Sequence, residues 1–308
     1  MITSVDSKAY RHYFQNDPHP FISNDFIEMN NNKVDSVVRL IDDGNRKMIG
    51  LVAGVKSTTL FSPFSAPFGG FHFRSEIIVI SEIDRFIDSL KEYMINQGFT
   101  GFEITLPPII YHPTFTAKVI NSLSRKGFTQ LLPDITGWID LDKFKYSFAQ
   151  KNTREAYKKS MKNGLSFVRV TDLKEREVLY EVISKNRAKF NRPIHMSFQN
   201  IIDTSELWDV DFFKISTQDD NTVAAAIFYR SHKEIIHAAF WGDSDDGREL
   251  KAIDFLAHNM WSYYKDLGYR FIDVGISTEG GVPNEGLLRF KESHDSISSI
   301  RYKFIWKF

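Results

Sequence analysis

Apolar and polar positions alternate over residues 36–42 and 48–61, which predicts a strand pair about the turn sequence Asp42-Asp43-Gly44-Asn45. Two short helical stretches precede it, near 6–15 and 22–31. Ile80, Ile83, Phe86, Ile87, Leu90 and Met94 recur at helical spacing within 80–97, and Gly98 is placed to end that helix. Phe102 to Leu106 alternates as a strand that Pro107-Pro108 stops. A helix over 114–126 ends at Gly127, and a strand follows at about 128–141.

The second half repeats this order. Phe212–Ser216, Val223–Tyr229 and Ile235–Trp241 read as three strands joined by tight polar turns. Residues 249–267 form a helix whose apolar face carries Leu250, Ile253, Leu256, Ala257, Met260, Trp261 and Tyr264, ending at Gly268. Phe271–Val274 is the next strand, followed by a short helix near 284–292 and a strand at 297–307. Gly98-Phe99-Thr100-Gly101-Phe102-Glu103-Ile104 aligns with Gly268-Tyr269-Arg270-Phe271-Ile272-Asp273-Val274, 170 residues further on. Identity between the halves is slight, so a duplication rests on the shared order of hairpin, helix, strand, helix, strand.

Composition agrees with two domains. The chain has 308 residues, 42% of them hydrophobic, and a domain takes roughly 150. We therefore divide it into 1–145 and 146–308. The 39 basic and 39 acidic residues cancel, which argues against an overall polyelectrolyte partner while leaving room for a local basic patch. With no cysteine, disulfides, thiolate metal sites and a cysteine nucleophile are excluded. The first residues lack a basic region followed by an apolar one, and no apolar run approaches the roughly 18 residues that span a bilayer, so a cytoplasmic protein without a membrane span is expected.

Lys151, Arg154, Lys158 and Lys162 lie at spacings of three, four and four, which sets four cations on one helical stripe. The stripe reads either as a solvated face or as a phosphate-contacting one. Arg187, Lys189 and Arg192 follow at the end of the next helix, where cations also complement the helix dipole. The chain contains no G-x-x-x-x-G-K-[ST] loop, no G-x-G-x-x-G after a strand, no H-E-x-x-H and no G-x-S-x-G elbow. Its nine histidines include no i,i+4 pair, so no metal is expected.

What remains is Asp273-Val274-Gly275-Ile276-Ser277, a Gly/Pro-rich loop over 280–283, and Asn284-Glu285-Gly286-Leu287-Leu288-Arg289-Phe290-Lys291-Glu292-Ser293. A strand ends at a glycine and a short helix begins beyond the loop, an arrangement in which α/β folds place ligands. Phe271–Gly275 followed by Gly286–Ser293 resembles the C-terminal signature of FemAB-like transferases, tandem-domain members of the GNAT acyltransferase superfamily. Asn152–Leu165 resembles the helix that opens their second domain, and Ser62–Gly70 their first-domain proline/glycine loop.

The resemblance implies an α/β (α+β) fold of two tandem GNAT-like domains, each a mixed, largely antiparallel sheet flanked by helices. It also implies transfer of an acyl or aminoacyl group to an amine, with acyl-CoA or aminoacyl-tRNA as donor and a small or precursor-linked amine, such as a cell-wall or polysaccharide precursor, as acceptor. The long coiled-coil arm of some bridge enzymes is absent. So is the [RQ]-x-x-G-x-[GA] turn that holds the CoA pyrophosphate: Trp241-Gly242-Asp243-Ser244-Asp245-Asp246-Gly247 stands there, and its three aspartates would repel one.

Acyl transfer to an amine needs a route for the amine's proton and stabilisation of the tetrahedral oxyanion. Lys291 is the candidate for the charge. Asp273 and Glu292 are candidates for the proton. Tyr229 and His237 are placed to line the acyl channel, Ser277 and Arg289 to flank its mouth, and Arg154, Lys158 and Arg192 to contact phosphates. The competing reading is a catalytically silent GNAT-like binding module or scaffold.

Overall fold

A computed structural model describes residues 1–42, 44 and 48–307; the predicted turn around Asp43 and Asn45 lies outside the described residues. In chain order the elements are β1 (Ile2–Ser4), α1 (Ser7–Tyr13), α2 (Asn24–Met29), β2 (Ser36–Asp42), β3 (Ile49–Lys56), β4 (Thr59–Ser62), β5 (Phe71–Phe73), α3 (Ile80–Asn96), β6 (Gly101–Thr105), α4 (Pro113–Arg125) and β7 (Thr129–Gln130). There follow β8 (Asp134–Asp140), α5 (Lys151–Met161), β9 (Ser166–Val170), α6 (Leu173–Lys189), α7 (Phe198–Thr204), β10 (Val210–Ser216), β11 (Thr222–Tyr229), β12 (Ile235–Asp243), α8 (Asp245–Glu249) and α9 (Ala252–Asp266). The chain closes with β13 (Phe271–Ile276), β14 (Thr278–Glu279), β15 (Val282–Pro283), α10 (Glu285–Ser293), β16 (Ser296–Arg301) and β17 (Lys303–Lys307). No helix among the described residues is long and apolar enough to cross a membrane.

The chain forms two units. The first comprises Met1–Ile135, Gly280–Val282 and the segment from Ser299; the second comprises Thr136–Glu279 and Pro283–Ser298. In the first, a mixed sheet runs β1-β2-β3-β4-β6-β17-β7, with β5 beside β3. Leu40, Leu51, Leu60, Phe102 and Phe304 of this sheet bury against Ile83, Phe86, Ile87, Leu90 and Met94 of α3 and Phe115, Val119 and Leu123 of α4, the stripes that helical spacing predicts. The second sheet runs β16-β8-β13-β12-β11-β10-β9. One of its faces packs Phe213, Phe228, Ile236 and Ile272 on Leu256, Met260, Trp261 and Tyr264 of α9. The other packs Phe212, Ile227 and Tyr229 on Leu179 and Ile183 of α6 and Ile201 of α7. β4 pairs parallel with β6 in the first sheet and β12 with β13 in the second, while β1–β2, β2–β3, β3–β4, β6–β17, β8–β13, β9–β10, β10–β11 and β11–β12 pair antiparallel.

Several elements read as continuous are broken. The stretch 48–61 turns back at Ser57, whose φ is 53°, so β3 and β4 form a hairpin. The helix 249–267 is interrupted at Lys251, φ 60°, between α8 and α9. The strands expected at 128–141 and 297–307 each divide between the two sheets: β7 and β17 belong to the first, β8 and β16 to the second. Pro133, which has no N–H to give a ladder, separates β7 from β8. A single cut after residue 145 does not reproduce this division. β17 pairs with β6 from Lys303↔Thr105 to Lys307↔Gly101, returning the end of the chain to the first sheet.

Candidate functional site

The candidate site begins where β12 and β13 part. Their parallel register runs Ile235↔Phe271, Ile236↔Ile272, His237↔Asp273 and then ends. Both strands carry an extra residue at that level. On β12, Phe228 faces Ala238 while Ile227 faces Phe240, which leaves Ala239 as the bulge. On β13, Asp273 faces Trp138 while Gly275 faces Gly137, which leaves Val274. A bulge bends its own strand, so two placed side by side drive the strands apart. Gly275 takes φ 68°, a conformation open to glycine at no steric cost. Beyond the divergence, Ala239, Phe240 and Trp241 are half-buried within an otherwise buried strand.

Polar side chains gather at this level. Asp273 is 1% exposed. Its Oδ2 lies 3.3 Å from His237 Nδ1, and its Oδ1 accepts the Gly275 N–H at 2.9 Å. Tyr229 is the direct partner of His237 on β11, with ring centroids 6.1 Å apart and nearly parallel. Lys291, 5% exposed, reaches from α10 to the end of β13 and donates to the carbonyls of Gly275 at 3.0 Å and Ile276 at 2.7 Å. Asn284 sets α10 in place: its side chain caps the helix by accepting from Leu287 N, and its own N–H donates to Ser277 O at 2.9 Å. Ser277 is buried at this junction.

The other sequence candidates lie elsewhere. Glu292 is exposed and accepts from Ser298 Oγ at 3.1 Å; as the next residue on the helix it faces away from Lys291. Arg289 is exposed. Arg154 turns onto its own chain, donating to the carbonyls of Phe148 and Ala149, and Lys158 pairs with Glu155 at 3.0 Å. The Arg192 carbonyl accepts from Arg187 Nε at 3.1 Å, and the Arg187 guanidinium lies 5.9 Å from the Phe240 ring centre, beside the open part of β12. Burial, and behind it the charge of Arg192, loosens the hold of Arg187 on its proton. Sequence reasoning missed the two bulges, although a glycine inside a strand pattern is a signal for one.

The acidic turn after β12 is tied down by its neighbours. Asp243 accepts from Asn186 Nδ2 at 2.9 Å and from Arg248 Nη2, while Asp245 pairs with Lys189 at 2.6 Å. Burial raises the Asp243 carboxyl above the usual carboxylate range, and Arg248 works against it. Gly247 leaves no room for a side chain, since a Cβ there would lie 2.1 Å from Val223 O. Because the obstacle is backbone, Gly247→Ala is expected to destabilise by about 3 kcal/mol, read as a lower urea midpoint.

In the first unit the corresponding divergence is filled. The pairing of β4 with β6 ends at Ser62↔Ile104, and Gly69 of the following loop then donates to Thr105 O at 2.9 Å. Gly69 O in turn lies 2.9 Å from His19 Nε2.

No protein-family model matches this sequence, and no curated protein is similar to it in sequence. Solved structures are similar in fold. FemX covers 97% of its own chain and all of this one, at 13% identity and a TM-score of 0.71. L-PGS from Bacillus licheniformis shares 11% identity over 97% of this chain and 90% of its own, with a TM-score of 0.60. A tandem GNAT protein from the clavulanic acid biosynthesis pathway shares 8% identity over the whole of this chain and 98% of its own, at 0.53. The chain shares its fold, two GNAT-like domains in tandem, with FemX and with this tandem GNAT protein.

Proposed function

We propose that the second unit transfers an aminoacyl or acyl group from an activated donor to an amine. The observation that carries this reading is the divergence of β12 and β13 with the Asp273–His237 pair at its apex. The amine nitrogen attacks the donor's carbonyl carbon, the amine's proton passes to the Asp273–His237 pair, and the bond to the donor's oxygen or sulfur then breaks, the leaving group taking a proton. Lys291 holds the end of β13 in place through two carbonyls. We favour an aminoacyl ester over acyl-CoA as donor, because the turn after β12 does not have the [RQ]-x-x-G-x-[GA] form that holds a pyrophosphate and its Asp243 and Asp245 are already engaged with Asn186, Arg248 and Lys189. The resemblance of Phe271–Gly275 and Gly286–Ser293 to FemAB-like transferases implies a precursor-linked amine as acceptor, with the reaction in the cytoplasm.

The test is transfer from labelled aminoacyl-tRNA, and separately from acetyl-CoA, to a lysine-containing cell-wall precursor peptide. Asp273→Asn should lower the rate by about 100-fold or more while the protein stays folded. An undiminished rate would remove Asp273 from the proton's path. No transfer from either donor favours the binding-module reading.

A further inference from the structure

Tyr229, His237 and Asp273 form one row across three neighbouring strands. Tyr229 is registered with His237, and His237 with Asp273. The row lies at the last level of parallel pairing, where β12 and β13 begin to part. Tyr229 is 4% exposed, and its hydroxyl has no hydrogen-bond partner among the described residues.

That hydroxyl differs from those of two other buried tyrosines. Tyr10 places its hydroxyl 2.9 Å from His72 Nδ1, and Tyr264 donates to Asp211 Oδ2 at 2.9 Å. The ring of Tyr229 packs near Trp208, at 6.0 Å, and near His237, contacts that a phenylalanine ring makes equally well. Packing therefore accounts for the ring and leaves the oxygen unexplained, and an unmet buried hydroxyl calls for a reason. Burial pushes the phenol's pKa well up, so the group is neutral and both donates and accepts.

We infer that Tyr229 determines specificity, its hydroxyl binding a polar group carried by the transferred acyl unit. The inference rests on the transferase reading and deepens it. The bulky leaving portion of the donor needs the side where β12 and β13 part, beside half-buried Phe240 and Trp241, so the acyl unit is the part that reaches the row. A floor of phenol, imidazole and carboxylate suits a hydroxyl or amine on that unit and is poorly matched to a hydrocarbon. A site built to hydrogen-bond a substrate group rejects the analogue that lacks it far more strongly than an apolar pocket rejects an extra methylene.

The test uses non-hydrolysable donor mimics, 3′-aminoacylamino-3′-deoxyadenosines carrying seryl, lysyl, alanyl or norleucyl groups. They are titrated calorimetrically into the full chain and into Tyr229→Phe. The parent should bind seryl over alanyl, or lysyl over norleucyl, by about tenfold or more, and Tyr229→Phe should erase that preference. Tyr229→Phe should also melt at or above the parent's temperature, since it removes an unmet polar group and no made hydrogen bond. A preference that survives in Tyr229→Phe, a parent without preference, or a variant that melts several degrees lower would each overturn the inference. A parent that binds none of the four overturns the aminoacyl-donor reading beneath it, a result separable from loss of preference.

Discussion

Lys291→Ala should cost both stability and activity: about 3 kcal/mol in urea unfolding, with a fall in transfer rate of about 100-fold or more. From sequence this lysine reads as a cation set to steady developing charge. In the structure its ammonium is buried and spends two of its hydrogens on the Gly275 and Ile276 carbonyls. Those carbonyls belong to the strand end that bulges away from β12. Truncation to alanine leaves buried acceptors short of a donor and opens space where the lysine stem packed, and both effects destabilise. A lysine acting on substrate alone predicts lost activity with stability intact. Measuring both quantities on one preparation separates the two roles. Lys291→Met supplies a second comparison, because it keeps most of the stem and removes the charge. An unchanged unfolding midpoint in Lys291→Ala would show that the contacts to β13 hold nothing in place.

Asp211→Ala should be the more damaging change for the fold, at about 3–5 kcal/mol. Asp211 is fully buried on β10 and collects three partners. Arg169 Nε donates at 2.6 Å, Arg230 donates through Nε at 2.5 Å and Nη2 at 3.1 Å, and the Tyr264 hydroxyl donates at 2.9 Å. Burial works against the charge of Arg230, but the carboxylate outweighs it and raises the guanidinium's pKa. Removing the carboxylate leaves the half-buried Arg230 charge without its counter-ion and takes the acceptor from a phenol that is fully buried. Arg230→Met in the same background should recover part of the loss, since the orphaned charge is then gone. Thermal and urea unfolding of the two variants measure it. A loss below about 1 kcal/mol would place this cluster with exposed ion pairs in its effect.

How far the sequence reaches can be followed residue by residue. The apolar stripe of α3 is legible because a helix buries one face, and Ile83, Phe86, Ile87, Leu90 and Met94 are all inside; Ile80, the first of the series, lies where the helix begins and is exposed. Alternation identifies β6 for a similar reason, whereas β10, β11 and β12 are legible as short, mostly apolar runs between polar turns and are largely buried on both faces. Neither pattern says which neighbour each strand finds. The break at Pro133 between β7 and β8, and the one at Tyr302 between β16 and β17, look like irregularities within a strand, yet each marks a passage from one sheet to the other.

The same holds at the site. Asp273 and Lys291 stand out in sequence because a strand end, a glycine and a helix start follow one another. The stripe of cations at Lys151–Lys162 stands out equally, and there Arg154 and Lys158 are engaged with their own chain. Local spacing assigns a side chain to a helix face without telling whether that face meets a ligand, a carbonyl or water. Glu292 shows the limit most simply, since one residue's rotation along α10 separates it from buried Lys291.

By itself, then, the sequence determined the kinds of element, the duplicated order and the absence of cysteine chemistry. These follow from interactions between residues a few positions apart, which repeat with the period of the local structure. Tertiary structure alone decided the exchange of strands between sheets, the paired bulges that part β12 from β13, and the row of Tyr229, His237 and Asp273. Each is a matter of register between distant segments: His237 meets Asp273 across 36 positions, and Tyr264 meets Asp211 across 53. A shift of one residue in either ladder would turn those side chains to the opposite face, and the burial that selects the register is shared among strands no single stretch of sequence contains.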